Sequence, residues 1–121
     1  MLNLNVQNEI SRLRAVVIGN AESNGPVPKP EDCYDPKSKQ YVLAGTYPKD
    51  KDMVLEMEAL VKVFEKYDVQ VFRPKLIENY NQIFARDIAF VIDDKFIKAN
   101  ILPDRDKEYE AIQHVKKKKA P

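Results

Sequence analysis

From Asp52 to Tyr67 apolar residues recur at the period of an α-helix, and a short β-rich run stands on each side of that segment. Met53, Met57, Leu60, Val61 and Phe64 share one helical face, while Glu56, Glu58, Lys62, Glu65 and Lys66 can face water. Asp50 or Asp52 is placed to cap the helix start, because an Asp oxygen accepts from the free amides of a first turn. Ala15-Val16-Val17-Ile18, stopped by Gly19-Asn20, predicts a buried strand upstream. Val69–Arg73 predicts another downstream, ended by Pro74, which lacks an amide donor. Strand, crossover helix and strand in that order predict two parallel neighbours in one sheet.

The second half carries a different pattern. Ile88–Ile92 is continuously apolar, Asp93-Asp94 follows, and Lys95–Ala99 resumes as a strand. This predicts a hairpin whose first arm is central in a sheet, with a turn that lacks the usual glycine. Residues 105–117 predict a second helix, with Tyr109, Ile112 and Val115 on one side. The expected class is therefore α/β, with a mixed sheet and two helices in a single domain spanning residues 1–121. Between the first strand and the first helix lies a long Pro-rich segment, residues 20–50, with Pro26, Pro28, Pro30, Pro36 and Pro48. It predicts a loop, and loops of this length in small domains are functional or disordered. Residues 116–121 predict a frayed tail.

Charge narrows the function classes. Twenty basic and 19 acidic residues leave a net charge of +1, which provides no global attraction to nucleic acid or to an anionic membrane. No run of about 18 apolar residues suggests a membrane span. The N-terminal stretch lacks a signal-peptide pattern, and one cysteine forms no internal disulfide, so a cytoplasmic setting is expected. The lysines at 116–119 lack interleaved aromatics and read as the solvated end of a helix.

The chemistry-bearing residues are few. Cys33 lies between Asp32 and Tyr34, and the neighbouring acid works against a thiolate; an ordinary loop cysteine is the expectation. His114 has no orienting acid in sequence reach and reads as a surface helical histidine. One Cys and one His make no metal-ligand set, and the three separated glycines make no phosphate loop, so no metal or cofactor is expected. Asn81-Gln82-Ile83-Phe84-Ala85-Arg86-Asp87 is more informative, because it sets Arg86 and Asp87 directly before the most apolar strand. Charges at the mouth of a buried strand are costly unless paired or used. Two readings stand: structural salt bridges at a strand edge, or an Asp87 carboxylate that grips a planar cation through paired N–H bonds.

Read in order, several segments resemble the amidinotransferases, the guanidine-modifying enzymes, nearest the glycine amidinotransferase branch. These are Asn8-Glu9 with Leu13–Gly19; Asn20–Asn24 with Pro26 and Pro28; Tyr47-Pro48-Lys49-Asp50; Val69–Pro74; Ala85–Ile92; and Arg105 with Glu108-Tyr109 and Ala111-Ile112. The resemblance implies a partial pentein fold (an α/β-propeller), here about two ββαβ-type modules. It implies action on arginine or another guanidino compound, with Asp87 as a guanidinium ligand, Asn81 as a second substrate contact and Arg86 as a structural neighbour of the site. The family's Cys nucleophile, its His and a second acid come later than any segment matched here, and neither Cys33 nor His114 corresponds to them. The implied role is thus the N-terminal portion of such an enzyme, inactive alone. An arginine deiminase-like hydrolase and a stand-alone, self-associating module of pentein origin are the alternatives. The implied partners are the guanidino substrate and either the remaining pentein modules or a second copy.

Overall fold

The computed structural model describes residues 3–116. Strand β1 (Ala15–Val17) leads through a long connection containing helix α1 (Pro36–Leu43) to helix α2 (Asp50–Lys66) and strand β2 (Gln70–Phe72). The second half holds strands β3 (Ala89–Ile92) and β4 (Lys95–Lys98), then two short helices, α3 (Asp106–Glu110) and α4 (Gln113–Lys116). The class is mixed α/β.

Strands β1 and β2 pair in parallel, Ala15 with Gln70 through Val17 with Phe72, as a strand–helix–strand order requires. Helix α2 buries Val61 and half-buries Met53, Val54, Met57 and Phe64, while Leu60 remains 43% exposed. Its start differs from expectation. The cap residue is Lys49, and Asp50 and Asp52 lie inside the first turn, where they complement the positive end of the helix dipole instead of capping it. Its end is a Schellman turn: the Asp68 amide donates to Glu65 O and the Val69 amide to Phe64 O, with Asp68 left-handed at φ 57°.

The hairpin has the expected register, Ala89 with Lys98 through Ile92 with Lys95. Asp93 takes φ 54° in the two-residue turn; a short polar side chain tolerates this left-handed conformation better than most. Its first arm is not central. Strand β3 pairs with β4, and Phe90 and Ile92 remain 47% and 52% exposed. The mixed sheet is likewise corrected: the described strands form one parallel pair and one antiparallel pair, in separate sheets.

The Pro-rich segment is not structureless. Asp35 accepts from the Ser38 amide at 2.9 Å, Pro36 occupies the first helical position, and left-handed Gly45 closes α1. The segment expected to be one helix over 105–117 is broken into a 3₁₀ turn (Pro103–Arg105), α3 and α4. Residues 117–121, most of the expected frayed tail, lie outside the described residues.

Backbone hydrogen bonds join the two halves. Asn20 N–H donates to Gln82 O at 2.9 Å, and Lys75 N–H to Ala111 O at 2.9 Å. The fully buried Gln82 side chain accepts from the Ile77 amide and donates to Lys75 O, both at 2.8 Å, satisfying a buried amide completely enough to pin the crossing. Gly19 is required there. A Cβ at that position would lie 2.0 Å from Ile83 O and 2.4 Å from Gln82 O. The buried apolar residues fall on both sides of this crossing: Ile18, Val61, Val69 and Phe72 in the first half, Ile88, Ile112 and Val115 in the second. Among the described residues no helix is long and apolar enough to cross a membrane.

Candidate functional site

The Arg86–Asp87 segment forms a single 3₁₀ turn, Ala85–Asp87, that delivers the chain into β3. Asp87 is half-exposed and already holds a guanidinium group, that of Arg105: Arg105 Nη1 donates to Asp87 Oδ2 at 3.3 Å. Arg105 also meets Glu108 through two nitrogens, Nε to Oε2 at 2.6 Å and Nη2 to Oε1 at 3.2 Å, and Nη2 reaches Phe84 O at 3.3 Å. Glu108 is 2% exposed. A carboxylate so deeply buried is tolerable only with a cation in this forked geometry. The Glu108 hydrogen bonds raise the Arg105 pKa above its ordinary value; burial opposes them, and the charges of Glu108 and Asp87 add to them.

The local sequence explains this arrangement. Pro103 starts a 3₁₀ turn that ends on Arg105, and α3 continues from it, so Arg105 and Glu108 stand three residues apart on one helical face. The 3₁₀ turn before β3 then brings Asp87 and the Phe84 carbonyl to the same guanidinium.

Arg86 makes only a long, exposed ion pair with its neighbour Asp87. Its side chain is 90% exposed and its Nε lies 3.8 Å from Asp87 Oδ1, longer than a hydrogen bond. Arg105 makes the shorter bond to Asp87, at 3.3 Å. Asn81 Oδ1 accepts from the Ile83 amide at 3.1 Å, capping its own turn.

Asn81, Arg105 and Glu108 line a cavity of about 960 Å³, between residues 24–50 and residues 79–108. Asp87 is not part of the lining and bears on the cavity through Arg105. The lining carries five acidic side chains, Asp32, Asp35, Asp50, Asp104 and Glu108, against Lys49 and Arg105. Tyr34, Tyr47, Tyr80 and Phe84 supply aromatic surface. An acidic cavity with aromatic walls suits a cation: the carboxylates balance its charge, and ring faces attract it further.

Two tyrosines close the cavity on Asp104. Tyr34 Oη donates to Asp104 Oδ2 at 2.8 Å, and Tyr80 Oη donates to Asp104 O. The Tyr34 phenol is raised above 10.0 by that hydrogen bond first and by the Asp104 charge second. Tyr80 and Tyr47 are raised chiefly by burial, and then by the charges of Glu108 and Cys33 respectively. At the other end Asn24 fastens the segment to α2, donating from Nδ2 to Asp50 Oδ1 at 3.0 Å. Composition offered no signal for these ties beyond the polar residues themselves.

Cys33 is half-buried in the cavity wall, its Sγ donating to Lys29 O at 3.5 Å. His114 is not a surface residue as expected. It is half-buried, and its Nε2–H donates to Arg73 O at 3.0 Å, outside the cavity lining. A comparison with protein-family models finds no match, and a comparison with curated proteins finds none either.

Proposed function

We propose that the chain provides the guanidinium-recognising wall of an amidinotransferase-like site of pentein type, with arginine or a related guanidino compound as ligand. The observation that carries this reading is that Asp87, with Glu108, already holds a guanidinium group. A half-exposed carboxylate that already accepts from one guanidinium has the chemistry to accept from another, while Glu108 stays with Arg105. Arg105 uses Asp87 Oδ2, and Oδ1 faces Arg86 only at 3.8 Å, so one oxygen is available to an incoming N–H. The acidic, aromatic cavity beside it accommodates the rest of a cationic ligand.

In this reading the chain contributes recognition. Asp87 accepts from the guanidinium and balances its charge; Cys33 and His114 do not take the nucleophile and acid–base roles. Transfer to an amine and hydrolysis by water place the same demand on Asp87.

Calorimetric titration with arginine tests it. Arginine should bind, and citrulline, its uncharged analogue, should not. Asp87→Asn should weaken arginine about tenfold or more, the scale of one charge-assisted contact. The fold should survive this change, because Glu108 keeps Arg105 paired. No heat with millimolar arginine, or equal affinity in Asp87→Asn, would overturn the proposal.

A further inference from the structure

Residues 26–48 supply one side of the cavity, with Pro26, Val27, Cys33, Val42 and Tyr47 in its wall, yet none of residues 26–48 is buried. A segment without buried apolar contacts belongs to the least stable part of a fold and opens locally before the rest. Its hydrogen bonds close on itself. The Asp32 amide donates to Lys29 O, the Ser38 amide to Asp35, and the Thr46 amide to Tyr41 O. The segment therefore keeps its own shape when displaced.

Its two ends are pinned to one another. Asn24 donates to Asp50 twice, from the backbone amide at 3.4 Å and from Nδ2 at 3.0 Å. Ser23, just before, accepts from the Tyr80 amide through its carbonyl and from the Asn79 amide through its hydroxyl. Left-handed Gly25, at φ 87°, follows this pin directly, and a glycine there can rotate where other residues are confined. Among the described residues, a single hydrogen bond runs from residues 26–48 to the rest of the chain. It is the bond from Tyr34 Oη to Asp104 Oδ2, at 2.8 Å. No ion pair among the described residues adds to it. Asp104 itself belongs to the opposite wall, next to Arg105, and its carbonyl accepts from Tyr80 Oη.

We propose that residues 26–48 are a lid over the cavity, pinned at Asn24–Asp50 and latched shut by the Tyr34–Asp104 bond. Tyr34 is 81% exposed, so water competes for its partner and the latch releases readily. Release clears one wall of the cavity. Arg105, Glu108 and Asp87 stay in place, because the bonds among them lie wholly on the other side. What the lid admits and covers rests on the guanidinium reading; its opening does not.

Cys33, the one cysteine of the chain, sits beside the latch and reports on it. The rate at which iodoacetamide alkylates the full chain, without ligand, is divided by the rate in urea to remove the intrinsic reactivity of the thiol. The wild type should react well below its urea rate. Tyr34→Phe should react about three to ten times faster than wild type, the scale of one exposed bond to a charged acceptor, with unchanged circular dichroism. Asp104→Ala should match it, and the double variant should react no faster than either single one, since all three lack the same bond. A wild-type rate equal to that in urea, an unchanged rate in Tyr34→Phe, or a double variant whose effect is the product of the single effects would each overturn the proposal. Arginine enters none of these measurements, so a titration without heat would refute the guanidinium reading and leave the outcome for the lid standing.

Discussion

Removing the Arg105 guanidinium isolates its contribution to the fold. Arg105→Ala leaves Glu108, 2% exposed, without its cation. Breaking a buried pair by deleting one partner costs about 3–5 kcal/mol, because the surviving charge is left desolvated. Arg105 retains 30% of its side-chain exposure, so water can enter the vacated space, which lowers the expectation to about 2–3 kcal/mol. For a domain of this size that is a fall in Tm of about 10 °C. Urea unfolding followed by circular dichroism measures it directly. The cause is separated by a second substitution: in Arg105→Ala/Glu108→Gln the orphan is a neutral amide, cheaper to bury, and about 1 kcal/mol or more should return. A loss below about 1 kcal/mol would refute the buried-pair argument. So would a double variant no more stable than Arg105→Ala, since the coupling between the two sites would then be absent.

Two further outcomes follow from other parts of the fold. Gly19→Ala forces a methyl to within 2.0 Å of a backbone oxygen, so the crossing at Gln82 must open; we expect a loss of several kcal/mol, or no cooperative unfolding transition, whereas a change below about 0.5 kcal/mol would show that this close approach does not exist. In a spectrophotometric pH titration, Tyr34, Tyr47 and Tyr80 should ionise above the ordinary 10.0 of a tyrosine. Their raised phenols bind protons more tightly folded than unfolded, so their contribution to stability is complete below pH 10.0 and is lost as pH climbs through the folded values. Tyr34→Phe should remove one group that ionises above 10.0, and a titration that this substitution leaves unchanged above pH 10.0 would contradict the assignment.

The parts of the fold legible in the sequence are those written in side-chain period. Helix α2, its flanking parallel strands and the hairpin register all follow from apolar residues spaced for one face or one run. Helix α1 escaped because it buries none of its residues and so carries no apolar stripe. Its signal was in the caps, Asp35-Pro36 at one end and Gly45 at the other, and five prolines nearby made the region read as coil. The central position assigned to β3 failed for a different reason. A continuous apolar run signals burial on two sides, and the described chain covers Phe90 and Ile92 only partly. The site divides in the same way. Arg105 and Glu108 are three residues apart and readable as a helical pair. Asp87 lies 18 residues from Arg105, a separation that only the tertiary fold closes. Arg86, adjacent to Asp87 in sequence, meets it only at 3.8 Å, whereas the more distant Arg105 comes to 3.3 Å.

Arg105 does not treat its two carboxylates alike. Glu108 is held by two nitrogens, the nearer at 2.6 Å, and is buried; Asp87 is held by one at 3.3 Å and is 45% exposed. If Arg105 turned away from Asp87, it would retain both Glu108 bonds and lose little. If it turned away from Glu108, a buried charge would be stranded. Asp87 is therefore the exchangeable partner and Glu108 the fixed one. A ligand guanidinium that replaced Arg105 at Asp87 would substitute one charge-assisted contact for another without unpairing any buried group. The same asymmetry separates the readouts: changes at Glu108 belong to stability, and changes at Asp87 belong to ligand affinity. An Asp87→Asn variant that lost stability as severely as Arg105→Ala would mean that both carboxylates serve the fold, and the guanidinium reading of Asp87 would lose its structural basis.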